Sequence, residues 1–100
     1  MIKHIVMWRL KDECEGKDKR TTALLLKEEL ESLLGKIDGL RSLEVGINVN
    51  TSASAFDVVL ITEHSTLNDL QFYQEHPAHI AVGSFVKAVT KERVVVDYGF

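Results

Sequence analysis

The residues of this chain best suited to proton chemistry are its histidines, of which there are four among 100 residues. His4 stands between apolar residues, and His79 closes the segment His76-Pro77-Ala78-His79. A histidine titrates near neutrality, so it can take up and return a proton at physiological pH. A phenol beside it, such as that of Tyr73, can orient a carbonyl or hold a developing oxyanion. This set favours proton abstraction next to a carbonyl, as in aldol cyclisation, enolisation or decarboxylation.

These side chains can act together only if the elements that carry them pack against one another. His4 lies on the apolar face of a predicted first strand, which is the face expected to be buried. Tyr73 and His79 lie before and after Pro77, in the helical region expected to cover the sheet. We therefore predict that these three candidate catalytic residues converge on one pocket. Asp57, in the third predicted strand, can orient one imidazole if it faces the same pocket.

Each candidate also has a purely structural interpretation. His4 can be a half-buried strand residue that is hydrogen-bonded to the backbone, and Tyr73 can be a packing residue. His76 and His79 can satisfy backbone groups freed by the proline. This structural role is preferred for His76, because the residue before a proline in a helix break often caps exposed groups. His64, at the end of the third predicted strand, is expected to be solvated.

A metal site is a further interpretation, because His76 and His79 are three residues apart. The intervening proline breaks the helical register that would align such a pair, no cysteine is available, and Asp57 would have to complete the set. The sequence has no glycine-rich phosphate loop, no serine nucleophile elbow and no dinucleotide fingerprint. We therefore predict neither a metal nor an organic cofactor.

Hydrophobic periodicity predicts the elements that position these residues. Strands are expected at residues 2–10, 43–49, 56–61 and 94–98. Thr21 or Thr22 can cap a first helix, and Ser65 or Thr66 a second one that breaks at Pro77 and restarts with the next residue. The order β-α-β-β-α-β is that of ferredoxin-like α+β folds, in which both helices cover one face of a four-stranded antiparallel sheet.

The second face of such a sheet should be polar where it meets water. Residues 56–61 and 94–96 nevertheless offer apolar side chains to both faces. A contiguous exposed apolar patch usually marks a protein interface, and the simplest partner is a second copy of the chain. We therefore predict a homodimer that is joined through the sheet face.

The composition is that of one small soluble domain, with 45% hydrophobic and 27% charged residues. A net charge of -3 argues against a nucleic acid partner, and no apolar run approaches the roughly 20 residues that cross a bilayer. Residues 1–10 are too polar for a signal peptide, so we expect a cytoplasmic protein without a membrane partner. Cys14 is the only cysteine and is flanked by Glu13 and Glu15, which disfavour a reactive thiolate.

Five segments distributed over nearly the whole chain carry a family resemblance. They are MIKHIVMW at residues 1–8, GLRSLEVG at 39–46, FDVV at 56–59, YQEHPAH at 73–79 and VVDY at 95–98. In this combination the chain resembles the stress-responsive A/B barrel (Dabb) domain family. The resemblance implies ferredoxin-like protomers that pair through their sheets into a dimeric α+β barrel.

The resemblance also bears on function, which is mixed in this family. Many members are uncharacterised, some are stress-induced plant proteins, and one plant member is a polyketide cyclase. The pocket residues of that cyclase match His4, Tyr73 and His79 here, but a further pocket histidine matches Asp57. At that position this chain departs from the pattern of the cyclase.

Three classes of function remain open at this stage. The preferred one is the binding of a small apolar or carbonyl compound in a pocket between sheet and helices. The second is a cofactor-free acid-base enzyme, of the cyclase, isomerase or decarboxylase kind, that uses His4, Tyr73 and His79. The third is a purely structural or interaction module.

Overall fold

Alternating apolar residues build a four-stranded sheet in this computed structural model, which describes residues 1–100. The elements are β1 (Ile2–Leu10), β2 (Glu13–Cys14), β3 (Lys17–Asp18), α1 (Lys19–Glu31), β4 (Leu40–Ile47), β5 (Val58–His64), α2 (Leu67–Glu75), α3 (Pro77–Val89) and β6 (Thr90–Gly99). The four long strands form one antiparallel sheet in the order β4-β5-β1-β6, and β2 and β3 form a separate hairpin. The predicted ferredoxin-like order is confirmed, with the second helix divided in two.

The helix-covered face of the sheet carries the core. Every second side chain of β1 and β5 is buried there, as expected for strands with one face against helices. These side chains form one apolar cluster with residues of all three helices, whose members include Val6, Trp8, Leu10, Leu26, Leu30, Val58, Leu60, Leu70, Val82 and Val86. Burying a side chain of leucine size stabilises a fold by about 1.5–3 kcal/mol, so this cluster holds the helices on the sheet.

The start of α1 differs from the prediction that Thr21 or Thr22 caps it. Asp18 is the N-cap, and its Oδ1 accepts a hydrogen bond of 2.8 Å from the backbone N–H of Thr21. The β2–β3 hairpin, whose turn has Glu15 at φ 51° and Gly16 at φ 78°, delivers Asp18 to this position in an extended conformation. The helix therefore begins earlier than its apolar pattern does.

Pro77 breaks the second helical region as predicted. His76 has extended backbone angles and ends α2, while Pro77 occupies the first position of α3, where a missing N–H costs nothing. The Nδ1 atom of His76 accepts a hydrogen bond of 3.0 Å from the N–H of Ala78. The capping role predicted for His76 is thereby confirmed, and the helix restarts at the proline itself rather than at Ala78.

Strand lengths differ from the predicted ones because pairing with β1 sets them. β6 follows β1 from Ile2 opposite Gly99 to Leu10 opposite Thr90, well beyond the predicted residues 94–98. β5 is paired from residue 58 to residue 64, so it begins and ends later than predicted. Local residue types indicate that a strand forms, whereas backbone partners decide where it ends.

The opposite face of the sheet is not covered by a helix. Met7, Val94, Val96 and Tyr98, which we call the open face, lie together on it, because residues that pair across β1 and β6 share a face. All four side chains are exposed. No helix of the chain is long and apolar enough to span a membrane.

Candidate functional site

A cavity of about 340 Å³ lies between the sheet and the helices. Its walls are mostly apolar side chains, among them Val6, Trp8, Leu30, Leu60, Val82 and Val86. The ionisable side chains that line it are His4 from β1, His79 and Lys87 from α3, and Arg93 from β6. An apolar cavity of a few hundred cubic ångströms with a few convergent polar groups is typical of small-ligand sites.

His4 is the polar member of the buried face of β1. It stands opposite Thr62 in β5 and Asp97 in β6, so a row of three polar side chains crosses the sheet. The Nδ1 atom of His4 lies 2.5 Å from Oδ1 of Asp97. A carboxylate oxygen accepts, so Nδ1 of His4 donates this hydrogen bond, and Nε2 is the ring nitrogen left free of it.

Tyr73 is fully buried among three imidazoles. Its ring centroid lies 4.7 Å from that of His79, 5.0 Å from that of His64 and 6.3 Å from that of His4. Burial raises the pKa of Tyr73 to about 12, and its hydroxyl has no hydrogen-bond partner in the protein. Tyr73 thus stays protonated and supports the rings, but it is not among the residues that line the cavity.

His79 reaches the cavity from the first turns of α3. Burial is the main cause that lowers its pKa below the ordinary value of 6.5, and nearby positive charge at His4 and Arg93 acts in the same direction. A histidine with a lowered pKa is neutral at pH 7, with one nitrogen able to donate and the other able to accept. His79 therefore supplies a neutral imidazole to this cavity.

His64 lies beneath Tyr73 and is fully buried, so the expectation that it is solvated is wrong. The strand continues through residue 64, and the alternation that buries Leu60 and Thr62 also buries His64. Its Nε2 lies 2.9 Å from Oγ1 of Thr62, and burial lowers its pKa.

Asp57 does not take the orienting position considered for it. Its Oδ2 accepts a hydrogen bond of 2.8 Å from the N–H of Leu10 and lies 3.6 Å from Nζ of Lys19. Residue 57 precedes β5, so its carboxylate secures the far end of β1 rather than the cavity. Asp97 occupies the orienting position instead.

The structure places the rings of His4 and His79 on either side of Tyr73, and of these three predicted pocket residues only the two histidines line the cavity. Sequence reasoning did not single out Asp97 or Arg93. Their alternation with open-face residues along β6 places both on the helix-covered face. It does not reveal that Asp97 lies opposite His4 and Arg93 opposite Trp8. His76 uses Nδ1 as a helix cap, and no three His, Cys, Asp or Glu side chains form a group that could hold a metal ion.

Fold and site together define a ferredoxin-like domain with a histidine-lined cavity under its helices. The model of the stress-responsive A/B barrel domain family matches residues 2–100, and the chain belongs to this family. An uncharacterised protein of Streptomyces coelicolor is similar to it at 31% identity, over all 100 residues and the full length of both chains.

Solved structures with the same fold include proteins described as dimeric. A dimeric protein of unknown function from Bacteroides fragilis is 35% identical, with a TM-score of 0.86 over 99% of this chain and 95% of that one. A hydroxynitrile lyase from Passiflora edulis is 14% identical, with a TM-score of 0.81 over 97% of this chain and 90% of that one. At so low an identity the second likeness concerns the fold alone.

Proposed function

We propose that the chain binds a small compound with an apolar body and a carbonyl group in the cavity between sheet and helices. This proposal rests on one observation, that His4 and His79 both line a mostly apolar cavity of about 340 Å³. The apolar walls suit the body of such a ligand. The imidazoles offer the few polar groups that orient ligands in apolar sites.

The two imidazoles on the cavity wall support a carbonyl as the polar part of the ligand. Burial lowers the pKa of His79 and leaves a neutral ring, although a hydrogen bond with the backbone of Gln74 acts in the opposite direction. His4 is held by Asp97, so its orientation in the cavity is restricted. A fixed ring loses little conformational freedom when a ligand binds, which favours affinity.

A second candidate function is a cofactor-free acid-base enzyme. The hydrogen bond from His4 to Asp97 beside a neutral His79 resembles the base and orienting carboxylate found in many proton-transfer sites. In this candidate His4, which Asp97 orients, takes a proton from the carbon next to the carbonyl and leaves an enolate, while His79, packed against Tyr73, lines the same cavity. Hydroxynitrile lyase chemistry occurs on the same fold, which makes an enzyme compatible with this architecture. Solvent-deuterium exchange next to the carbonyl of a bound ketone, lost in His4→Ala, is the expected sign of it.

A homodimer joined through the open face belongs to the same proposal. Its support is the exposed apolar side chains of the open face and the dimeric state of the Bacteroides relative. Pairing of the two sheets would cover these side chains and leave the cavities on the outer, helix-covered faces.

Gly83 provides a test of the binding proposal, because it lines the cavity in the middle of α3. A Cβ at this position meets no atom within 4 Å, so Gly83→Leu should place its side chain in the open space without a clash. We expect ketone binding to weaken at least tenfold in a calorimetric titration. Glycine is a poor helix former, so the free energy of unfolding should rise or stay level, by up to about 1 kcal/mol.

The matched control is Ser84→Leu, which adds a leucine to the same helix at an exposed position outside the cavity. It should bind the ketone like the wild type. Unchanged affinity in Gly83→Leu would place the binding site elsewhere and contradict the proposal.

A further inference from the structure

Two exposed cations line the open side of the cavity without an acidic partner. Arg93 of β6 and Lys87 of α3 both line it, and neither makes an ion pair or a side-chain hydrogen bond within the chain. Other basic residues of the sheet are paired, as Lys3 is with Glu63 and Arg9 with Glu92. The cavity therefore carries positive charge that the protein itself does not neutralise.

The pairing of β1 with β6 places a third hydrogen-bond donor, the indole N–H of Trp8, beside Arg93. Arg93 stands directly opposite Trp8 across the β1–β6 pair, so the two side chains are neighbours on the helix-covered face. Trp8 also lines the cavity and is almost fully buried, yet its indole Nε1 has no hydrogen-bond partner. A buried donor without a partner costs about 1–3 kcal/mol, so a ligand oxygen that accepts from it recovers this cost.

The positive charges of Arg93 and Lys87 are not neutralised by the carboxylate of Asp97. The carboxylate on the same face of β6 is that of Asp97, four residues beyond Arg93, and it is engaged by His4. Arg93 and Trp8 thus form one part of the cavity wall, and His4, held by Asp97 and four residues from Trp8 along β1, forms another. The two parts can contact different groups of one ligand.

We propose that the cavity selects ligands that carry a carboxylate as well as a carbonyl, with the carboxylate bound by Arg93, Lys87 and the indole N–H of Trp8. This inference rests on the proposed function, since it names the class of compound that the same cavity takes. The planar fork of an arginine matches a carboxylate with two parallel hydrogen bonds, which lysine alone cannot provide. Apolar keto acids are the resulting ligand class.

A matched pair of probes tests the charge directly. We would titrate the wild-type chain at pH 7 with 4-oxo-4-phenylbutanoate and with its primary amide, which has the same apolar body and ketone but no charge. The acid should bind at least tenfold more tightly than the amide, because hydrogen bonds to charged groups are roughly twice as strong as neutral ones.

Single substitutions test which residues cause the preference for the acid over the amide. Arg93→Gln should weaken acid binding about tenfold and leave amide binding within about twofold, and Lys87→Gln and Trp8→Phe should each weaken acid binding about threefold. Lys91→Gln is the control, because it removes a positive charge from the same strand outside the cavity. It should bind both probes like the wild type.

The possible outcomes separate this inference from the proposed function. Equal binding of acid and amide by the wild type would overturn the carboxylate assignment and leave the carbonyl-binding proposal standing. Binding of neither probe would contradict the proposed function and the assignment with it. An acid preference that survives in Arg93→Gln but is lost in Lys91→Gln would place the anion outside the cavity and overturn the assignment.

Discussion

Two histidines, the buried His64 and the half-buried His79, give single residues an influence on the stability of the whole domain. His64 and His79 both have pKa values lowered below 6.5, with burial as the first cause. An unfolded chain regains the ordinary pKa, so between 6.5 and the lowered values it binds protons that the folded chain does not. Proton uptake by the unfolded state then favours unfolding.

The free energy of unfolding is therefore expected to be greatest above pH 6.5 and to fall as the pH drops below that value. Urea denaturation at pH 7.5, 6.5 and 5.5 measures this slope. The double variant His64→Gln, His79→Gln cannot titrate there and should show a flatter profile. If the variant keeps the wild-type slope, other groups cause the pH dependence.

At the scale of elements, the junction between α2 and α3 decides where His79 stands. His76 ends one helix and caps the next, and Pro77 prevents a continuous helix through both. His79 lies in the first turn after this break, where its ring reaches Tyr73 and the cavity. His76 does not line the cavity, but by capping α3 it helps to position His79, which does.

Loss of this cap should be measurable as a loss of stability. His76→Ala removes the acceptor for the N–H of Ala78 and is expected to lower the free energy of unfolding by about 1 kcal/mol, the usual cost of an N-cap. His76→Asn, whose side chain can accept the same hydrogen bond, should recover most of it. Equal losses in the two variants would mean that packing of the ring against Phe72, rather than capping, is what matters.

At the scale of the whole molecule, β6 is an edge strand whose residues from Lys91 onward are all exposed. An uncovered edge strand with apolar side chains invites association, which proteins usually manage by covering it. The open face provides apolar surface for such an association. We propose that a second copy of the chain covers it.

The molecular mass of the protein in solution tests the proposed dimer. Wild-type protein at micromolar concentration should scatter light as twice the chain mass of 11.3 kDa. Val96→Glu places a charge in the middle of the open face, where burial would be costly, and should give monomers. Leu24→Glu, at an exposed position of α1, is the control and should remain dimeric. A dimeric Val96→Glu protein would move the interface away from the open face.

Local residue patterns specify the types of the elements and the face that each side chain takes along its own strand. Alternation in β1 directs His4 inward with Val6 and Trp8, and Pro77 ends the helix, since both effects depend on near neighbours in the chain. The ferredoxin-like order follows from the same local patterns, whereas the family was indicated by the resemblance of five segments of the sequence.

Which residues stand opposite one another depends on long-range strand pairing, which local patterns do not reveal. Asp97 lies against His4 although 93 positions separate them, and Arg93 lies against Trp8, because the β1–β6 register is set by pairing along the entire strands. The same pairing extends β5 to His64 and buries it, and it leaves Asp57 at the far end of β1. Side chains alternate every two residues along a strand, so the sequence of one strand specifies which face each side chain takes. The residue that lies opposite on the neighbouring strand depends on the register of the pair, which the sequence of one strand does not specify.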